Sequence, residues 1–369
     1  MGSPGRVLAG VNHDPAEKLF KKPMNDQPLI RFGVVGYGLF GFHHARAIEA
    51  SETSRLVAVT ARSEASRQRA VEDHPGVAVH GDYREMLERD DLEVVSVVAP
   101  NMLHYEMGMA VLESGKHLLL EKPMALTVPE CDQLVELAER EQRILAVGHE
   151  LRLSSLWGRV KQLIEEGAIG RVQHVLVELS RFPYRPGSGG WRYDQKRVGS
   201  WILEEPIHFF DLARWYLEES GDPVSIYARA NSRDPSRPQL ADNFSAIVNY
   251  PDHAYALVSQ SLAAFGHYQT AKVVGTGGAI WAEWGAADAR SDDSHFALRY
   301  GLGDDVTEVE LAEDAGELVE LAREIDAMAE SVRSGKPPPC TGVDGRWSTL
   351  LCLAAEKSVR TGQLVVLEE

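Results

Sequence analysis

The sequence predicts an α/β protein, a doubly wound parallel sheet followed by a second α/β unit with a large mixed, mostly antiparallel sheet. Three observations predict it. From Ile30 to Gly148, short apolar segments alternate with helical runs through short links, which is how a parallel sheet with crossover helices is written. The first of these segments runs into Gly36, Gly38 and Gly41, in G-x-G-x-x-G spacing. Beyond about Val172, long strands of alternating apolar and polar residues follow one another, as expected of a sheet with one face against helices.

In chain order, residues 1–27 mix Gly, Pro, Asn, Asp and Lys without a sustained period and read as a flexible N-terminal arm. Val7 to Val11 is too short for the apolar core of a signal peptide. Residues 28–148 form the nucleotide unit, with strands at Arg31–Val35, Leu56–Thr60, Val77–His80, Val94–Ala99, His117–Glu121 and Ile144–Val147. Helices lie between them at Ala45–Ala50, Glu64–Glu72, Tyr83–Arg89, His104–Ser114 and Val128–Gln142. Gly115 is suited to stop one helix, and Thr127 with Glu130 to start another as a capping box, with Pro129 in its first turn. Residues 149–369 form the substrate-binding and oligomerisation unit. It opens with a helix at Ser155–Glu166, then strands at Val172–Leu179, Val224–Arg229, Phe244–Tyr250, Ala254–Ser261 and Ala271–Val274. Gly275 to Gly278 reads as a hairpin turn, helices follow at Ala315–Ser334 and Arg346–Thr361, and Leu364–Leu367 closes the chain as a strand.

Composition narrows the classes. A chain of 369 residues suits two domains, and 44% hydrophobic with 25% charged residues is ordinary globular material. The net charge of -17 disfavours a nucleic-acid partner, and no apolar run approaches the roughly 20 residues that span a bilayer. Cys131, Cys340 and Cys352 are sparse and odd in number, which suits a reducing compartment, so the cytoplasm is the expected location. No metal site is expected, because the adjacent His43 and His44 point apart on a helix and no zinc spacing occurs. A G-x-S-x-G elbow is also missing.

The three glycines have separate tasks in a dinucleotide site: a tight turn, close approach of backbone to a pyrophosphate, and close helix-on-strand packing. The stretch Gly36, Tyr37, Gly38, Leu39, Phe40, Gly41 is therefore the expected phosphate-binding loop of a Rossmann unit. An acidic residue at the end of the second strand would hold a ribose 2′-hydroxyl, but Arg62 and Ser63 stand there and suit a 2′-phosphate. The cofactor is NAD(P), with a lean to NADP; a solvated Arg62 and the nearby Glu64 keep NAD open. Strand carboxyl ends form the ligand crevice of open α/β sheets, which places Pro100, Asn101, His104, Glu121 and Lys122 at its rim. Lys122 suits proton exchange or a hydrogen bond to a reacting oxygen, against the alternative of a salt-bridged surface lysine. Asn101 suits the cofactor's ribose or amide, against the alternative of a helix N-cap. The loop from Arg181 to Asp194 is rich in aromatic and basic residues, and Trp191, Arg192 and Tyr193 are candidate contacts for a sugar-like substrate.

Gly36-Tyr37-Gly38-Leu39-Phe40-Gly41, Pro100-Asn101 with His104, and Glu121-Lys122-Pro123 together resemble the glucose–fructose oxidoreductase, inositol dehydrogenase and rhizopine catabolism (Gfo/Idh/MocA) family. The resemblance covers nearly the whole chain from residue 30 onward. It implies an NAD(P)-dependent oxidoreductase of sugars, cyclitols and related polyols, with a Rossmann domain and an α/β domain whose sheet makes the dimer. A homodimer or homotetramer through the C-terminal sheet is therefore expected. The family's D-x-G-x-H-x-x-D stretch is matched by Glu204-Glu205-Pro206-Ile207-His208-Phe209-Phe210-Asp211. The resemblance implies that His208 is the acid/base or its partner, with Lys122 opposite and Asp211 orienting the helix or His208. Glu204 is then the acidic partner on the same helical face, with Glu205 its competitor for substrate. Glu204 replaces an aspartate and Pro206 a glycine, which puts the substrate pose in doubt. Arg152 matches the family's approach to the active site and is a candidate substrate contact, while Glu150 departs from the usual asparagine. The reading is hydride transfer between nicotinamide and a secondary alcohol or ketone carbon. The alternatives are a redox-neutral sugar epimerisation or elimination through transient oxidation, and a non-catalytic nucleotide-binding regulator.

Overall fold

A computed structural model describes residues 28–367 apart from 292 and 312. The arm expected over residues 1–27 lies outside the described residues. Strands β1 (Ile30–Val35), β2 (Ser54–Thr60), β3 (Ala78–His80), β4 (Val94–Val97), β5 (His117–Glu121) and β6 (Leu145–Gly148) form one parallel sheet in the order β3-β2-β1-β4-β5-β6. Helices α1 (Leu39–Ala50), α2 (Glu64–Asp73), α3 (Tyr83–Leu87), α4 (His104–Glu113) and α5 (Val128–Arg140) make the crossovers. Helices on both faces leave β4 wholly buried, which is why Val94, Val95 and Val97 point to both sides of the sheet rather than alternating with exposed residues. Reversal of the strand order between β1 and β4 opens the crevice at their carboxyl ends, beside the glycine loop.

The second unit contains α6 (Trp157–Glu165), β7 (Val172–Ser180), the short α7 (Gln195–Val198), α8 (Pro206–Tyr216), β8 (Ser225–Asn231), β9 (Asn243–Asn249), β10 (Tyr255–Ser261) and β11 (His267–Gly275). It continues through β12 (Gly278–Ala286), β13 (His295–Leu302), β14 (Asp305–Glu308), α9 (Glu317–Ser334), α10 (Gly342–Thr361) and β15 (Val365–Val366). Nine strands lie in the order β14-β13-β12-β11-β7-β10-β9-β8-β15. Only the β7–β10 pairing is parallel among the described residues. One face carries the core, with Val175, Val177, Ala256, Val258 and Ile280 packed against Leu163, Phe209, Leu212 and Leu351 from the helices. On the opposite face Ile247, Tyr255, Val274 and Trp281 are exposed.

Three features differ from expectation. The hairpin after β11 leads into β12, β13 and β14, three strands beyond those expected from the sequence. Helix α10 begins four residues before Arg346, because Thr341 and Asp344 form a reciprocal capping box. Its early glycines lie against β6: a Cβ on Gly342 would sit 2.6 Å from Leu145 and one on Gly345 2.7 Å from Val147. At α5, Thr127 caps the Glu130 amide, but the Glu130 carboxylate accepts from the Thr127 hydroxyl, so no reciprocal box closes there among the described bonds. Helix α9 also crosses back, inserting Ile325, Met328 and Ala329 among Phe32, Val34, Ala45 and Ile48. The two units thus share a core, which fixes the cleft between them. No helix among the described residues is long and apolar enough to cross a membrane.

Candidate active site

The glycine loop has three differently crowded positions. Gly36 has φ +99°, and a Cβ there would lie 2.2 Å from the Val98 carbonyl oxygen; one on Gly41 would lie 1.8 Å from the Gly36 oxygen. A Cβ on Gly38 would meet nothing within 4 Å among the described residues. Gly36 and Gly41 therefore serve packing, and Gly38 leaves space for a ligand. Gly38 is the N-cap of α1 and no described side chain caps that end, so the first amides of the helix, at Leu39 and Phe40, suit an anion. This open cradle fits a dinucleotide pyrophosphate. Tyr37 turns its ring into the core and bonds Asp73 at 2.8 Å, so only its backbone follows the loop. Gly41→Ala is expected to destabilise the fold by about 3 kcal/mol or more, through backbone displacement. Gly38→Ala is expected to leave the unfolding midpoint nearly unchanged while weakening dinucleotide binding about tenfold, read by urea titration and calorimetry.

Beyond β2, Arg62 is exposed, and Ser63 is the N-cap of α2, its oxygen accepting from the Ser66 amide at 3.1 Å. Arg67 holds the carbonyls of Ala61 and Arg62 at 3.2 and 2.8 Å and pairs with Glu64. The turn is thus pre-shaped by one arginine while another projects outward.

At the ends of β4 and β5 most predicted residues support the site rather than face it. Pro100 is half-buried and starts the 3-10 turn Asn101–Leu103. Asn101 neither caps α4 nor opens to solvent: its amide donates to the Val198 carbonyl at 3.2 Å and to Glu204 at 3.3 Å, tying the units together. His104 is buried between the carbonyls of Pro123 and Ala99, at 2.7 and 2.8 Å, and so joins the two strand ends. Glu121 is buried against His44 of α1 at 3.1 Å, and His44 contacts Ser96 on β4 at 2.9 Å. Lys122, followed by a cis peptide bond to Pro123, crosses the cleft and donates from Nζ to the Glu204 carbonyl at 2.6 Å.

Across the cleft, Glu204 and His208 do not share a helix. Pro206 is the first residue of α8, where its missing amide costs no helical bond, and Glu204 lies in the preceding turn. The Glu204 carboxylate is held by Arg192 and Asn101. Glu205 pairs with Arg181 and faces His267 at 3.9 Å; burial would raise its pKa, but Arg181 first, then His267 and Lys122, hold it below the usual carboxylate value. His208 is buried, its Nδ1 3.4 Å from Nδ1 of His149 and 3.6 Å from the Glu150 carboxylate. Burial, then Lys122 and His149, hold the His208 imidazole well below its usual value. Burial, then Glu121, push the Glu150 carboxyl well above its own, with Lys122 opposing. At neutral pH, His208 is therefore neutral.

Glu150, His149, Arg181 and His267 were not among the predicted site residues. The unusual glutamate at Glu150 was the one signal available. Its raised folded value means the wild type loses stability as pH rises from the unfolded glutamate value of about 4.3 toward that folded value, roughly 1.4 kcal/mol for each unit traversed. Glu150→Gln has no such loss. Its midpoint is expected to exceed wild type at pH 8 and to match it near pH 4, in paired thermal melts.

Other predicted contacts turn inward. Arg152 is buried and bidentate on Asp211 at 2.7 and 2.8 Å, with Asp344 at 3.3 Å and the Pro339 carbonyl at 2.9 Å. It joins the domain link to α8 and α10 and does not face the cleft as a free substrate contact. Asp211 accordingly fixes Arg152. Trp191 packs with Tyr184, Val198, Trp201, Leu240 and Leu262, and Tyr193 lies against that cluster with its hydroxyl on the Tyr184 carbonyl at 2.8 Å. Of the three loop candidates only Arg192 reaches the cleft, through Glu204. His149, Asp211 and Cys340 bring potential metal-ligand atoms within 4.8 Å of one another, but Arg152 already occupies the Asp211 carboxylate with positive charge.

Comparison with known proteins agrees with this fold. Residues 30–149 match a family model described as the oxidoreductase family, NAD-binding Rossmann fold, and residues 157–281 match the GFO/IDH/MocA C-terminal domain. Myo-inositol 2-dehydrogenase of Thermotoga maritima is 27% identical over 350 residues, 92% of this chain and 99% of the relative. The 1,5-anhydro-D-fructose reductase of Ensifer adhaerens is 28% identical over 291 residues, 77% of this chain and 82% of the relative. The fold is similar to that of aldose-aldose oxidoreductase from Caulobacter crescentus, crystallised with glycerol, at a TM-score of 0.79 and 22% identity over 92% of this chain and 100% of that one.

Proposed function

The chain belongs to the Gfo/Idh/MocA family of oxidoreductases, and on that premise we propose that it moves a hydride between NAD(P) and a CH–OH carbon of a sugar, cyclitol or related polyol. The observation that carries this reading is the meeting of Lys122 with the turn before α8, beside His208, at the strand ends that follow the open glycine loop. When bound, the nicotinamide supplies the hydride chemistry. The chain supplies orientation and proton handling. In oxidation, neutral His208 is placed to take the hydroxyl proton while the Lys122 ammonium hydrogen-bonds the developing alkoxide. Arg192 and Asn101 hold Glu204, and Arg181 holds Glu205, so both carboxylates face substrate hydroxyls in fixed orientations. Absorbance of reduced nicotinamide, followed with each cofactor and a panel of sugars, cyclitols and sugar acids, tests the proposal. Growth in the wild type that is lost in His208→Ala supports it, and silence across the panel with intact nucleotide binding counts against it.

NADP is the preferred nucleotide in this reading, supported by the exposed Arg62 on a turn braced by Arg67. Arg62→Ala is expected to weaken NADP about tenfold and NAD by less than twofold in calorimetric titration. Residues 149–369 serve substrate binding and assembly, and the exposed Ile247, Tyr255, Val274 and Trp281 support a homodimer or homotetramer through the open sheet face. Three free, buried cysteines support a cytoplasmic location.

A further inference from the structure

Arg290, beyond the end of β12, carries the second unit's charge to the glycine loop of the first. Its guanidinium carbon lies 5.4 Å from the ring centroid of Phe40, the second residue of α1. The side chain is paired with Glu317 at the start of α9, Nε lying 2.5 Å from one carboxylate oxygen and Nη2 donating to the other at 3.2 Å. The Nε contact is misaligned, so that buried N–H has no hydrogen-bond acceptor among the described residues, and neither does the Glu317 oxygen facing it. The turn that presents Arg290 is itself ordered. Asp288 accepts from the Arg290 amide at 2.9 Å and its own amide donates to Ser291 at 3.0 Å.

This placement is hard to explain as a surface ion pair. A pyrophosphate seated on the amides of Leu39 and Phe40 brings negative charge into a chain of net charge -17. On the nucleotide unit's own side, Arg69 donates to the Gly38 carbonyl at 3.4 Å and is otherwise spent on the Tyr37 ring and on Asp73. A guanidinium offers five donors in a planar fork that matches two phosphate oxygens, and Arg290 has only one of its donors in an aligned bond among the described residues. We propose that Arg290 is a phosphate ligand supplied by the second unit, exchanging Glu317 for the cofactor's pyrophosphate and so latching the two units together across the bound nucleotide. The inference rests on the reading that the glycine loop takes the pyrophosphate. Glu317 then acts as the resting partner that stores the guanidinium beside the loop.

Calorimetric titration of the full chain with ADP-ribose, which carries the pyrophosphate without the nicotinamide, tests this, with adenosine as the phosphate-free probe. Arg290→Ala is expected to weaken ADP-ribose about 10- to 30-fold, as loss of a charged hydrogen-bond donor implies, and to leave adenosine unchanged. Arg290→Lys should recover part of the loss, and Glu317→Gln should bind ADP-ribose as tightly as wild type or more tightly. Wild type that fails to bind ADP-ribose overturns the reading of the glycine loop itself. Wild-type binding that Arg290→Ala leaves intact overturns the latch alone. Equal losses for ADP-ribose and adenosine, or a Glu317→Gln loss matching that of Arg290→Ala, also overturn it, because they mark Arg290 as part of a structural pair.

Discussion

Replacing Lys122 by alanine is expected to lower kcat by two to four orders of magnitude, the usual range for a positioned acid–base group, with nucleotide affinity within about threefold of wild type. The asymmetry follows from where the ammonium ends. Lys122 leaves β5 and bonds the carbonyl of Glu204 at 2.6 Å, so its charge lies in the cleft with the turn that precedes His208. It also helps to hold His208 neutral. Truncation removes the donor for the alkoxide and alters the base at the same time, whereas the glycine loop is built from backbone at Gly36 to Gly41 and stays intact. Lys122→Arg is expected to recover little, because a planar fork does not reproduce a compact ammonium in this space. Steady-state kinetics paired with nucleotide titration reads both quantities. Turnover near wild type in Lys122→Ala would place the proton chemistry on His208 and Glu150 alone.

Arg152→Ala is expected to destabilise the fold by about 3–5 kcal/mol, the usual consequence of leaving one member of a buried ion pair uncompensated. The Arg152 and Asp211 side chains are only 5% and 2% exposed, so truncation takes the charge partner from a carboxylate that is itself largely desolvated. Among the described residues, Asp211 would keep the Ser348 hydroxyl alone, at 3.3 Å. Asp344 retains Arg214 at 2.8 Å, so the damage should centre on α8, the helix that carries His208. Replacing Arg152 and Asp211 together by apolar residues of similar volume should restore much of the stability. Urea unfolding measures the loss. A raised KM with an unchanged unfolding midpoint would instead make Arg152 a substrate contact.

The first sheet, the existence of a second, mostly antiparallel one, the order of the first unit's elements and the glycine loop were legible from the sequence alone, because strand and helix periods and turn glycines are local properties of the chain. Lys122 was expected at the crevice because it ends a parallel strand, and His208 because its stretch resembles a family motif. What only the tertiary structure decided is which charge meets which. Arg152 lies 59 residues from Asp211, and Glu150 meets His208 from the domain link. Trp191 and Tyr193 turn inward because Leu240 and Leu262, far along the chain, complete a cluster around them. Pro206 marks a helix start, so the expected helical pairing of Glu204 with His208 gives way to Arg192 and Asn101 on one side and Glu150 on the other. A buried polar group must find its partner among whatever the fold brings within about 3 Å, and that set depends on how distant elements pack rather than on sequence spacing.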